Sequence, residues 1–182
     1  MDEPVFLDFE ASSLRDDSYP IEVAWGASAA AIETHLISPE GIPTWTDWAE
    51  SAERIHGITR TELLRNGQSP ALVAKQLNEM LRGRQVFTDA PDFDRMWLAR
   101  LFEQYWSPCE ITLRHVDELF WEVLRRRFAD QDEARRYTVS LQRVARRRAG
   151  GRQHRAGDDV AYLVELWNLV QSGTGYGMIL PR

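Results

Sequence analysis

Asp8 and Glu10 stand two residues apart inside the apolar run Val5-Phe6-Leu7-Asp8-Phe9-Glu10-Ala11. Side chains on a strand repeat every second residue, so an extended reading puts both carboxylates on one face. On a buried strand such a pair must be protonated, paired or bound to a cation, because an isolated buried carboxylate is strongly disfavoured. The pattern also admits an edge strand that turns both acids to water and Val5, Leu7 and Phe9 inward. Two further acidic positions have the same potential: Asp94, early in a helix that follows a strand, and Asp158 or Asp159, at the start of the last helix. Carboxylates converging from separate elements need hard cations to neutralise them, and oxygen donors without cysteine suit Mg²⁺ or Mn²⁺. Two such ions about 3.5 to 4 Å apart form a clamp for in-line displacement at phosphorus. His154 lies five residues before Asp159 in a polar segment, within reach of a water in such a site.

The elements that must position these side chains follow from pattern and punctuation. Residues 5–11, 21–26 and 32–37 read as three successive antiparallel strands, with residues 27–31 as a hairpin end or a continuation, and Pro39, Gly41 and Pro43 close the segment. Thr46-Asp47 resembles a helix start, with Gly57 as the cap at its end. Thr59-x-x-Glu62 has capping-box form and opens a short helix through Leu64. Ser69-Pro70 begins a helix with Leu72, Val73, Leu77, Met80 and Leu81 at helical spacing and Gly83 as its stop. Residues 85–89 form a fourth strand, and Ala90-Pro91 turns it into a helix bearing Phe93, Met96, Trp97, Leu101, Phe102 and Tyr105. A fifth strand is expected at 111–113, followed by helices at 117–128 and 133–148, the latter with Tyr137, Leu141, Val144 and Ala145 inward and arginines outward. Gly150-Gly151 breaks the pattern before a last helix at 156–171 with Val160, Leu163, Val164, Trp167 and Val170 on its core side. Strands first, then helices alternating with strands, predict an α/β domain over residues 1–172, a mixed sheet of about five strands flanked by helices, and a tail at 173–182.

Asp8-x-Glu10, the Phe93-Asp94 pair and the segment from His154 to Asp159 resemble, in order, the three motifs of the DEDDh 3'-to-5' exonucleases. This is a group of the ribonuclease H-like superfamily that includes a polymerase proofreading subunit, ribonuclease T and oligoribonuclease. Ile55-His56-Gly57-Ile58-Thr59 is similar to a segment common in the group, and the likeness spans residue 5 to about residue 169. It implies a ribonuclease H-like fold and two divalent cations, Mg²⁺ or Mn²⁺. Asp8 would bridge both, Glu10 and Asp159 would complete the site holding the attacking water, and Asp94 would support the second. His154 would be the general base, a task that suits histidine because its unperturbed pKa of about 6.5 leaves it largely neutral at pH 7. The family spacing selects Asp159 over Asp158. Where many relatives carry a His-Asn pair before the second aspartate, this chain has Thr88-Asp89-Ala90-Pro91. The extra acids Asp89 and Asp92 read as a strand end and a helix N-terminus.

The candidate substrate contacts are Phe9, as a stacking surface for a terminal base or as core, together with Ala11 and, in the loop after the first motif, Leu14 and Arg15. His56 reads as closing a helix end, His35 and His115 as surface or packing residues, and the seven Trp as mainly core. The expected activity is release of nucleoside 5'-monophosphates from single-stranded 3' ends of RNA or DNA. A catalytically silent nucleic-acid-binding domain and a phosphodiesterase for dinucleotides are the alternatives. Some relatives are homodimers, so a homodimer through the arginine helices or the 176–180 segment is a further expectation.

Composition bounds these readings. Apolar residues make up 43% of the 182 and aromatics 10%, a globular balance with enough chain for a full core. Cys109 is the single cysteine, which admits no intrachain disulfide and suits a reducing cytoplasm. The opening residues lack the pattern of a signal peptide, and no apolar run approaches about 18 residues, so neither secretion nor a membrane span is expected. The net charge of -6 hides a local excess: residues 125–155 hold eleven arginines against Asp130, Asp132 and Glu133. That stretch is either a solvated helical face or a seat for a polyanion.

Overall fold

The computed structural model describes residues 3–151 and 154–173. Five strands, β1 (Val5–Ala11), β2 (Pro20–Gly26), β3 (Glu33–Leu36), β4 (Val86–Thr88) and β5 (Leu113–His115), form one sheet in the order β3-β2-β1-β4-β5. β2 runs antiparallel to β1 and β3, whereas β4 and β5 run parallel to β1. β1 is therefore central, which excludes the edge-strand alternative. Its alternate residues supply both faces: Val5, Leu7, Phe9 and Ala11 join one core cluster and Phe6 the other. Asp8 and Glu10 continue the Phe6 face.

Seven helices among the described residues, α1 (Glu50–His56), α2 (Arg60–Asn66), α3 (Pro70–Leu81), α4 (Pro91–Phe102), α5 (Val116–Leu124), α6 (Gln131–Ala149) and α7 (Ala156–Ser172), divide between the two faces. Leu63, Val73, Leu77, Trp97 and Leu101 from α2, α3 and α4 pack on Leu7 and Phe9. Leu119, Leu141, Val160 and Leu163 from α5, α6 and α7 pack on Phe6 and Phe87. Each fully buried side chain of this kind contributes roughly 1.5–3 kcal/mol. No described helix is long and apolar enough to cross a membrane.

Local signals explain most boundaries and some departures from expectation. Gly57 caps α1 in the left-handed conformation (φ 73°), and Thr59 accepts from the Glu62 N–H to start α2. The α1 start differs: Asp47 does not cap it, because its carboxylate accepts from Ser12 Oγ at 2.9 Å and pairs with Arg15 at 2.8 Å, and the helix begins at Glu50. The fifth strand lies two residues later than expected, at Leu113–His115, since Val86 and Phe87 of β4 register with Leu113 and Arg114. His115 then caps α5, accepting the Asp117 N–H at Nδ1. Residues 27–31 neither continue a strand nor form a tight hairpin; Ala29–Ala31 is a single 3-10 turn. Leu72, Met80, Phe93 and Val144 are exposed rather than inward, and Trp106 is 89% exposed, so helical spacing overcounted the core. His56 is buried at the end of α1, and His35 stacks on Trp25 at 4.9 Å. Gly173 follows α7 with φ 65°, and residues 174–182, including the tail segment 176–180, lie outside the described residues.

Candidate active site

β4 ends at Thr88, so β1 pairs with it only at Val5 and Phe6, and the second half of β1 runs on beyond its parallel neighbour. A register shift at Glu10/Ala11 ends the regular pairing with β2, a feature common beside functional sites. Asp8 and Glu10 project from this overhang toward the first turn of α7, which carries Asp159. One carboxylate oxygen from each of the three lies within 4.8 Å of the others. Asp94, buried in the first turn of α4, approaches from the β4 side. It accepts from Thr88 Oγ1 and from the Phe9 N–H, a donor that the short β4 leaves unpaired.

The connection from α6 to α7 is held in an unusual backbone state. Gly150, Gly151 and His154 all have positive φ, and His154, at 62°, is the one described non-glycine residue to do so. Such a conformation persists only where its surroundings hold it. The His154 N–H donates to Asp159 Oδ2 at 2.8 Å, which fixes this exposed histidine beside the carboxylate group. A side chain at Gly151 would be strained by its φ of 73° and would meet the Asp158 side chain at 2.5 Å. Glu22 of β2, opposite Glu10 in register and 1% exposed, ties down the far end of the connection. It accepts from Arg155 Nη2 at 2.6 Å, Arg155 Nε at 3.1 Å and the Ala156 N–H at 2.9 Å.

Crowding sets the electrostatics. Burial pushes Asp8 well above the ordinary carboxylate range, and the charges of Asp94, Asp89, Glu10 and Asp159 push it further. Burial, with Asp159 and Glu22 beside it, raises Glu10 to about 8, against the pull of Arg155. Burial also raises Asp94 to about 7; the Thr88 and Phe9 hydrogen bonds oppose the shift and Asp89 adds to it. Arg146 of α6 meets this acidic group directly, 2.5 Å from Asp159 Oδ1 and stacked 3.5 Å from the centroid of the Tyr162 ring. Clustered oxygen donors whose charged forms repel one another match the needs of a hard divalent cation. Asp8, Glu10 and Asp159 could hold one such ion.

The fold is similar to that of E. coli exonuclease I. Its structure in complex with a dA16 oligonucleotide matches at a TM-score of 0.60 and 17% identity, over 95% of this chain and 41% of that one. Its product-bound structure matches at 0.58 and 18%, over 93% of this chain and 43% of that one. This chain thus spans about two fifths of the length of exonuclease I. The five-stranded mixed sheet and its helical layers are the ribonuclease H-like fold. No family model matches the sequence, and no curated protein is similar to it in sequence.

Of the residues singled out by type and spacing, Asp8, Glu10, Asp94 and Asp159 are brought together, and His154 joins them through its backbone N–H on Asp159. Asp158 points its side chain toward Gly151 instead. Phe9 and Ala11 are buried in the core, so Phe9 offers no stacking face, while Leu14 is 70% exposed on the loop after β1. Asp92 pairs loosely with Arg95 at 3.9 Å, as a first-turn acid would. Asp89 does follow the strand end, yet its charge reaches Asp8, so it belongs to the field of the site. Sequence reading missed Glu22, Thr88, Arg146, Arg155 and Tyr162. Glu22 carried a faint signal, an acid inside an apolar strand; Arg146 carried none, being one of eleven arginines in its stretch.

Proposed function

We propose that this protein is a metal-dependent 3'-to-5' exonuclease that removes nucleoside 5'-monophosphates from single-stranded nucleic acid. The observation that carries this reading is the meeting of Asp8, Glu10 and Asp159 oxygens within 4.8 Å, with Asp94 on the other side of Asp8 and His154 anchored to Asp159. The oligodeoxynucleotide bound to exonuclease I makes single-stranded DNA the first substrate to test, with RNA beside it.

Asp8, Glu10, Asp94 and Asp159 would hold two divalent cations, Mg²⁺ or Mn²⁺, which would supply Lewis-acid neutralisation of charge developing at the scissile phosphate. The chain's own part is geometric and acid–base. β1 and the first turns of α4 and α7 carry the carboxylates on regular elements. His154 takes the proton from the attacking water. Water's oxygen bonds to phosphorus as the bond to the 3' oxygen of the shortened chain breaks, and that oxygen leaves with a proton from solvent. The N–H bond from His154 to Asp159 ties the backbone of this residue to one of the carboxylates and supports that role.

A time course with 5'-labelled DNA and RNA strands of equal sequence, in Mg²⁺, in Mn²⁺ and in chelator, tests the reading beside Asp8→Asn. The expected outcome is a ladder shortening from the 3' end, dependent on metal and lost in the variant. Shortening that survives chelator or the variant would sink it. Tight strand binding with no shortening would favour a silent binding domain, and cleavage confined to dinucleotides the short-substrate phosphodiesterase.

A further inference from the structure

Arg136, Arg143 and Arg147 recur at i, i+7 and i+11 on α6, which places them in one stripe along the helix. All three are exposed and make no ion pair or hydrogen bond within the described structure. Several surface arginines differ, Arg82 pairing with Glu110 at 2.7 Å, Arg114 with Glu118 at 3.0 Å, and Arg148, on another side of α6, with Glu165 at 3.3 Å, and the unpaired Arg65, Arg125 and Arg126 lie outside α6. The stripe extends about 16 Å along the helix axis at 1.5 Å per residue. At its C-terminal end it borders Arg146, which touches the candidate active site through Asp159.

A chain of net charge -6 gains nothing in solubility from concentrating unpaired positive charge on one helix face. A regular row of guanidinium groups that ends at a phosphodiester-cleaving centre is complementary to a sugar–phosphate backbone. We propose that this face of α6 is the track for the single-stranded nucleic acid upstream of the scissile phosphate, each of Arg136, Arg143 and Arg147 engaging a backbone phosphate. The proposal rests on the exonuclease reading only for its direction of travel; its substance is strand binding. It makes the arginines substrate-binding groups that read charge and not base sequence, so affinity falls with salt and is indifferent to sequence.

Fluorescence anisotropy with 5'-labelled dT and rU strands, in chelator and across a series of KCl concentrations, tests the track. Three forms of the whole chain are compared: wild type, R136A/R143A/R147A, and a control R54A/R65A/R82A that removes the same charge elsewhere. Single-strand binding loses about 0.7 in the slope of log K against log salt per phosphate contact, so the track variant should lose about 2 in slope and bind at least tenfold more weakly. The control should match wild type. In Mg²⁺, the fall in kcat/KM of the track variant should grow with strand length. Wild-type slope and affinity in the track variant, or equal losses in the control, overturn the track. Binding that behaves as expected without any 3' shortening overturns the exonuclease reading and leaves the track standing. A wild-type protein that binds neither strand overturns both.

Discussion

Asp8 feels four other carboxylates, those of Asp94, Asp89, Glu10 and Asp159. Without a bound cation its charge is a liability to the fold. Asp8→Asn should therefore raise the melting temperature in chelator at pH 8 by about 2–4 °C, the equivalent of roughly 1 kcal/mol for a chain of this size. The same variant should lose the stabilisation by Mn²⁺ that wild type shows. A lower melting temperature in chelator would show that Asp8 is better accommodated than its neighbours suggest. Arg146 plays the opposite part, since it sets a positive charge 2.5 Å from Asp159 where a cation would also be drawn. Arg146→Met should destabilise the chelated protein by roughly 1 kcal/mol or less, because both partners reach solvent, and should tighten Mn²⁺ binding several-fold. Electron paramagnetic resonance of free Mn²⁺ measures the second effect; equal or weaker binding would count against the guanidinium as a competitor.

At the scale of elements, the site depends on how α7 begins. Glu22 on β2 receives both the Arg155 guanidinium and the Ala156 N–H, so one buried carboxylate fixes the helix N-terminus relative to the sheet. Asp159 and His154 lie within five residues of that tie. Glu22→Gln keeps shape but loses the charge that matches Arg155, and should cost about 1–3 kcal/mol in chemical denaturation. Since the groups it steadies are candidate ligands, Mn²⁺ affinity should fall as well, by about 10–100-fold, the usual effect of removing an outer support. A loss of stability with unchanged Mn²⁺ affinity would show that the α7 start is set by packing alone. The short β4 acts in a related way, because its end at Thr88 frees the Phe9 N–H for Asp94.

The whole molecule places the site beyond the carboxyl ends of β1 and β4, between the helical layers, where open α/β sheets usually bind their ligands. Its pH response follows from the buried acids. Glu10 moves from an ordinary 4.5 to about 8, and Asp94 from 3.8 to about 7. Both bind protons more tightly when folded, so between the unfolded and folded values the native state holds more protons, and stability falls as pH rises. In chelator the protein should melt at a lower temperature at pH 8 than at pH 5.5. Divalent cations compete with those same protons, so added Mg²⁺ should raise the melting temperature more at pH 8 than at pH 5.5 and narrow or reverse the difference. A chelated protein that gains stability across this window would show that the acids are not crowded as described.

What the sequence alone determined was local and periodic. Asp8 and Glu10 share a face because strand geometry repeats every two residues, Gly57 ends α1 because it accepts a positive φ, and Pro91 opens α4 because the first helical position needs no N–H. Asp8, Glu10, Asp94, His154 and Asp159 stand out through their resemblance to ordered motifs, each readable within a few residues. Tertiary structure decided everything that depends on pairing across the chain. It put β1 at the centre of the sheet, moved β5 to Leu113–His115 through its register with β4, and took Asp47 from a helix cap to a partner of Ser12 and Arg15. It also chose Arg146 from a run of similar arginines and joined Glu22 to Arg155 across 133 residues. Such choices turn on which charges share a buried space, and that space exists only once the sheet and its helices have closed around it.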